Sequence, residues 1–188
     1  RAWTGTLESI FPTQAKSITL THEVGVYTER FQGTPAIKSA KPRVFIPVFP
    51  GTNCEVDSAR AFERAGAIAE IFVVKNLTSQ DIEQTIAEMV RGIDRAQIVM
   101  LPGGFSGGDE PDGSGKFIAT TFRNPRIKEA VSNLLENRDG LMLGICNGFQ
   151  ALIKLGLVPY GKIIEPNAQA PTLTFNTLGR HISRMVYT

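Results

Sequence analysis

The chain has few of the residues that most often mark a functional site. In 188 residues it has two cysteines, Cys54 and Cys146, and two histidines, His22 and His181. Two cysteines exclude a disulfide framework, and such sparing use fits a reducing compartment, the cytoplasm. No Cys or His pair has the spacing of metal ligands, so no metal site is expected. Asp109, Glu110 and Asp112 lie close in sequence, but carboxylates on a polar turn read as a solvated loop rather than a cation site. No apolar run reaches the length of a membrane span, and the N-terminus has no signal-peptide core. The basic residues are scattered and the net charge is only +2, which leaves no stripe for nucleic acid and no polybasic patch for a membrane.

What is present is the composition of a globular protein, 42% hydrophobic and 20% charged, long enough for one good core and an added segment. The first 40 residues differ from the rest. They hold Trp3, the one tryptophan, and from Thr13 to Pro42 run through Thr, Ser, Gln, Gly and Pro without helical period, which reads as a linker. Ser17 to Val26 alternates weakly, enough for a short strand. An opening at Arg1, with no Met, reads as a piece cut from a longer polypeptide. The expected division is therefore 1–40 as tail and linker and 41–188 as a domain.

From Lys41 the pattern turns regular. Arg43 to Phe49 reads as a buried strand, although Pro47 offers no ladder hydrogen bond. Thr52 or Asn53 is positioned to cap a helix carrying Val56, Ala59, Phe62 and Ala65, which Gly66 ends. Ala67 to Val74 is a second strand. A helix follows from Thr78 or Ser79 through Ile82, Ile86, Met89 and Val90, and Gln97 to Leu101 is a third strand. A glycine-dense loop from Pro102 to Asp109 continues as polar turn to Gly115. Asn124-Pro125 opens a helix with Pro at its first position and Ile127, Val131, Leu134 and Leu135 on its inner face. Leu141 to Ile145 is a fourth strand, read as buried. Thr172 to Val186 alternates loosely, as an antiparallel pair would. Strands alternating with helices, each strand nearly all apolar, predict an α/β fold: an open, mostly parallel sheet covered by helices on both faces.

The chemistry centres on Gly144-Ile145-Cys146-Asn147-Gly148. A strand that turns at once into a helix, with a nucleophile at the turn and a glycine on each side, is an elbow of the Gly-x-Ser-x-Gly kind with a thiol in place of the hydroxyl. Helix starts carry unpaired N–H groups and the positive end of the helix dipole, both of which favour an anionic sulfur. A buried structural cysteine is the plainer alternative. Loops after strands one, three and four leave the carboxyl edge of a parallel sheet, so Asn53-Cys54-Glu55, the glycine loop and Cys146 can converge. Thiolate attack on a carbonyl needs an oxyanion site, and the N–H groups of the Gly103-Gly104 pair and of Asn147 at the helix start suit it. The glycine loop lacks both the Walker pair and the Rossmann spacing, which argues against a phosphate cradle. A thiol nucleophile needs a base. His22 falls in the linker and His181 has no acidic neighbour, so neither is an evident base. Cys54 reads first as loop-shaping, with a redox pair as the alternative.

Phe49-Pro50-Gly51-Thr52-Asn53-Cys54-Glu55, Leu101 to Asp109 and Leu143 to Gln150 together resemble the glutaminase domain of phosphoribosylformylglycinamidine synthase in its large single-chain form, a class I, triad-type glutamine amidotransferase. The elbow by itself would indicate only the class. The resemblance implies a flavodoxin-like fold, incomplete at its C-terminal end, with 1–40 as the tail of a synthetase region. It implies Cys146 as the nucleophile that forms a glutamyl thioester and releases ammonia, and an oxyanion held by Gly104 and Asn147. Gly103, Phe105, Ser106 and Gln150 would meet the glutamine. It further implies delivery of ammonia to a synthetase portion of the same polypeptide, which uses ATP and magnesium to make an amidine from formylglycinamide ribonucleotide. No residue of this chain is assigned to either cofactor. The family's histidine and glutamate come from a later His-Gly-Glu-Gly segment that these 188 residues do not contain, so the expectation is an incomplete triad and negligible turnover by this piece. Two other readings stay open: a non-catalytic docking or regulatory module of the same fold, and another thiol hydrolase with an elbow.

Overall fold

The structure, a computed structural model, describes residues 5, 7–10, 39–106, 115–183 and 185. The expected strand over 17–26, most of the linker and the acidic run 109–112 lie outside them. By its contacts the chain divides into two units, 34–173 and a second formed by 1–33 with 174–188.

Unit 34–173 holds four strands in the order β2-β1-β3-β4, all parallel: β1 Arg43–Val48, β2 Ile68–Val73, β3 Ile98–Leu101 and β4 Leu141–Gly144. Between them run α1 Glu55–Arg64, α2 Ser79–Arg95, α3 Lys116–Phe122 and α4 Pro125–Ser132, which widens into a π turn at Asn133–Asn137; α5 Asn147–Leu155 and α6 Leu157–Tyr160 follow β4. Helices cover both faces, as the sequence predicts. Phe45, Val99 and Leu101 join Met89, Ile93, Phe122, Ile127 and Leu155 in the larger core, while Val44, Ile46 and Met100 meet Ala59 and Phe62 of α1 on the other face.

Pro47 is accommodated by the alternation of parallel pairing. Val48 O accepts from Val74 N on the β2 side and Arg43 O from Gln97 N on the β3 side, both at 2.9–3.0 Å. Odd-numbered residues of β1 thus face β3, where pairing ends at Phe45 with Val99, and Pro47 needs no donor there.

The reading of β4 as buried is corrected. It is an edge strand, and Leu141 and Leu143 stay 62% and 44% exposed, with Ile145 beyond them at 52%. Register places Leu141 and Leu143 beside Ile98 and Met100, on the face that α1 covers mainly over β1 and β2, reaching β3 at Met100. Apolar composition could not reveal that the covering helix stops short. The cap of α1 also differs from expectation. Cys54 occupies the N-cap without a side-chain bond to the helix, and Thr52 Oγ1 instead accepts from Phe49 N at 3.2 Å within its own turn. Helix α3 was not foreseen. No strand forms among the described residues of 172–185; in the second unit Asn176 organises a turn, its Oδ1 accepting from Leu178 N at 3.0 Å and its Nδ2 donating to Arg180 O at 2.7 Å. No helix among the described residues is long and apolar enough to cross a membrane.

Candidate functional site

In a sheet of order β2-β1-β3-β4 the chain leaves β1 in one direction and β3 in the other, so the carboxyl ends of these two strands border a crevice. The loop after β1 and the loop after β3 meet there. Asn53 N donates to Gly103 O at 3.2 Å and Phe105 N to Gly51 O at 2.8 Å, with Thr52 paired antiparallel to Gly104 between them. Only glycine allows this approach at 104. Its φ is +141°, and a β-carbon there would stand 2.4 Å from Gly51 O.

Cys146 follows β4 at the neighbouring position, exposed, as the N-cap of α5. Its φ of +52° and ψ of −109° are rare for a residue with a side chain, and strain of this sort amounts to roughly 1–3 kcal/mol. Close packing around the turn holds it. A β-carbon at Gly148 would lie 2.0 Å from Leu101 O, and one at Gly144 would lie 2.7 Å from Gly148 C. The two flanking glycines thus let α5 press against the end of β3 and β4. The sulfur-bearing residue is thereby held at the sheet rim beside the glycine pair: a β-carbon on Gly103 would be 3.5 Å from Cys146 Cβ.

The backbone of this region has donors to spare. Neither Gly104 N–H nor Asn147 N–H donates a hydrogen bond to another described residue. The Asn147 side chain, in contrast, is engaged through both its oxygen and its nitrogen. Buried to 2% exposure, its Oδ1 accepts from Ser106 N at 3.2 Å and from Ser106 Oγ at 2.5 Å, and its Nδ2 donates to Gln150 Oε1 at 3.1 Å. Ser106 is wholly buried by this tether, so its hydroxyl faces the elbow helix rather than solvent. Phe105, the residue before it, keeps 55% of its surface. All seven residues singled out in the sequence, Gly103, Gly104, Phe105, Ser106, Cys146, Asn147 and Gln150, belong to this one assembly. The Ser106–Asn147 bond was not foreseen; a polar pair flanked by apolar and glycine positions in both motifs is the signal that could have suggested it.

No histidine belongs to the 34–173 unit: His22 lies outside the described residues, and His181 is an exposed residue of the second unit. No group of three or more His, Cys, Asp or Glu that could hold a metal occurs among the described residues.

Comparison with known proteins follows the same segment. The chain is 36% identical over 148 residues to the phosphoribosylformylglycinamidine synthase subunit PurQ of Dehalococcoides mccartyi, a match covering 79% of this chain and 52% of that protein. It is 35% identical over 151 residues to the PurQ subunit of Methanococcus maripaludis, covering 78% and 49%. The chain therefore spans about half the length of these relatives. A solved structure of PurLQS from Thermotoga maritima aligns at 31% identity and a TM-score of 0.43, covering 62% of this chain and 45% of that one. Residues 41–188 match the CobB/CobQ-like glutamine amidotransferase domain, and the chain belongs to that family.

Proposed function

We propose that this chain carries the nucleophile half of a glutaminase that supplies ammonia for the synthesis of phosphoribosylformylglycinamidine. The observation that carries the reading is Cys146 itself, held at φ +52° on a strand-to-helix turn beside a loop whose Gly104 N–H donates to no other described residue.

In this reading the Cys146 sulfur attacks the carboxamide carbon of glutamine. The carbonyl oxygen takes up negative charge and lies between the N–H groups of Gly104 and Asn147. The tetrahedral species collapses, the C–N bond breaks, and ammonia leaves with an added proton from the base. Water then attacks the thioester, so that glutamine and water become glutamate and ammonia. Gly103, Phe105 and Gln150 border the substrate, whereas Ser106, expected from the resemblance to do so, is wholly buried against Asn147. Phe105 offers an exposed aromatic surface to the aliphatic stem, and Ser106 fixes the loop. The 34–173 unit holds no histidine to serve as base, and in our reading the 188-residue chain by itself turns over glutamine negligibly. Ammonia passes in the cytoplasm to a synthetase portion, of the same polypeptide in our reading, where ATP and magnesium drive amidine formation.

The lack of histidine in the 34–173 unit favours a second reading, a docking module that keeps the fold without the chemistry. The intact synthase distinguishes the two. Cys146→Ala should abolish synthesis from glutamine and spare synthesis from added ammonium. Undiminished glutamine-dependent synthesis would establish the docking reading instead.

A further inference from the structure

The chain's two cysteines meet across Gly103. The position a β-carbon would occupy on that glycine is 3.5 Å from Cys54 Sγ and 3.5 Å from Cys146 Cβ. Cys54 Sγ is therefore at most twice that distance from Cys146 Cβ, and Gly103 leaves the intervening space free of side chain. Both residues are exposed. Their loops are locked in register by the bond from Asn53 N to Gly103 O and by the pairing of Thr52 with Gly104. Cys54 Sγ donates to Asn53 Oδ1 at 3.1 Å, a single weak bond that a rotation about χ1 would release. A disulfide requires Cβ atoms about 3.5–4.5 Å apart, so the pair closes the remaining gap across Gly103 by side-chain rotation and loop movement.

We propose that Cys54 is a resolving thiol for Cys146, so that a peroxide converts the pair to an intramolecular disulfide. The ionised sulfur of Cys146 attacks one oxygen of hydrogen peroxide. The O–O bond breaks, Cys146 becomes the sulfenic acid, and the departing hydroxide takes a proton to become water. Cys54 sulfur then attacks the sulfenic sulfur. The S–S bond forms, the S–O bond breaks, and the second hydroxide leaves as water with the proton of the Cys54 thiol. Two electrons pass from the two sulfurs to the peroxide, and a reducing thiol reverses the change. An exposed thiol at a nucleophile position is open to irreversible over-oxidation, and a neighbouring thiol diverts it to a recoverable form. This chemistry is independent of the glutaminase reading, since it requires only that the two sulfurs meet.

The reduced 188-residue chain, treated with hydrogen peroxide and measured by intact mass and by peptide mapping without reductant, tests the proposal. The expected product has lost two hydrogens and yields one linked peptide pair containing Cys54 and Cys146, which dithiothreitol restores. In Cys54→Ser the same treatment should add oxygen to Cys146. Gly103→Ala would place a methyl at ordinary contact distance from both residues, and linking should slow several-fold in a chain that still folds. Oxygen addition to Cys146 at the same rate in the wild type and Cys54→Ser, or disulfides only between separate chains, would overturn the proposal. Linking as fast in Gly103→Ala as in the wild type would overturn its geometry.

Discussion

Asn147 holds Ser106 through two hydrogen bonds to a single oxygen, from the Ser106 amide and from its hydroxyl, and both residues are buried. The bonds join the loop after β3 to the first turn of α5. They fix the distance between the two backbone segments whose Gly104 and Asn147 N–H groups donate to no other described residue, so the loop and the elbow behave as one body.

Asn147→Ala leaves the Ser106 amide and hydroxyl buried without an acceptor. Such an orphaned group typically costs about 1–3 kcal/mol, and chemical denaturation should show a loss of that size. Ser106→Ala removes one donor and leaves the amide bond, so its loss should be smaller. Equal stabilities for the wild type and Asn147→Ala would contradict the tether.

The glycines around the elbow differ in what a methyl would meet. At Gly148 it would strike the Leu101 carbonyl, a backbone atom that cannot swing aside, and at Gly103 it would make ordinary contact. Gly148→Ala should therefore destabilise by roughly 1–3 kcal/mol or more, by forcing α5 away from the sheet, whereas Gly103→Ala should change stability little. Thermal unfolding of the two variants side by side checks the ordering.

Strain at Cys146 makes a prediction of the opposite sign. Glycine adopts positive φ without penalty, so Cys146→Gly should match or exceed the wild type in stability, by up to about 1 kcal/mol once the entropy of the unfolded glycine is set against the relief. A marked loss of stability would show that the backbone there is relaxed.

Far from the elbow, Arg138 closes the C-terminal end of α2. Its guanidinium donates to the carbonyls of Ile93 at 2.7 Å, Asp94 at 2.6 Å and Ala96 at 3.1 Å. Arg138→Ala should cost about 1–3 kcal/mol, and amide hydrogen exchange should rise at the end of α2 rather than across the sheet.

Elements with both a period and an end signal were legible from sequence. Thr78 and Asp81 form the capping box that starts α2, and Asn124 with Pro125 starts α4 as its sequence predicts. Helix α3 has neither. It begins at Gly115 in the left-handed region with no side-chain cap, and its seven residues give too short a period, although Ile118, Ala119 and Phe122 do form its buried face. The elbow and the glycine loop were legible because local geometry demands particular residues there: glycine where φ is positive or a carbonyl approaches. The exposure of β4 and the bond from Ser106 to Asn147 were not, since each depends on which segment arrives from elsewhere in the chain.

The central claim is that Cys146, and not Cys54, is a nucleophile placed to meet a glutamine carbonyl. A chloromethyl-ketone analogue of glutamine tests it on the 188-residue chain, with the modified residue found by peptide mapping. One adduct is expected, on Cys146, forming at a rate that saturates with reagent and falls when L-glutamine is added. Equal modification of Cys54 and Cys146, with no protection by glutamine, would contradict it.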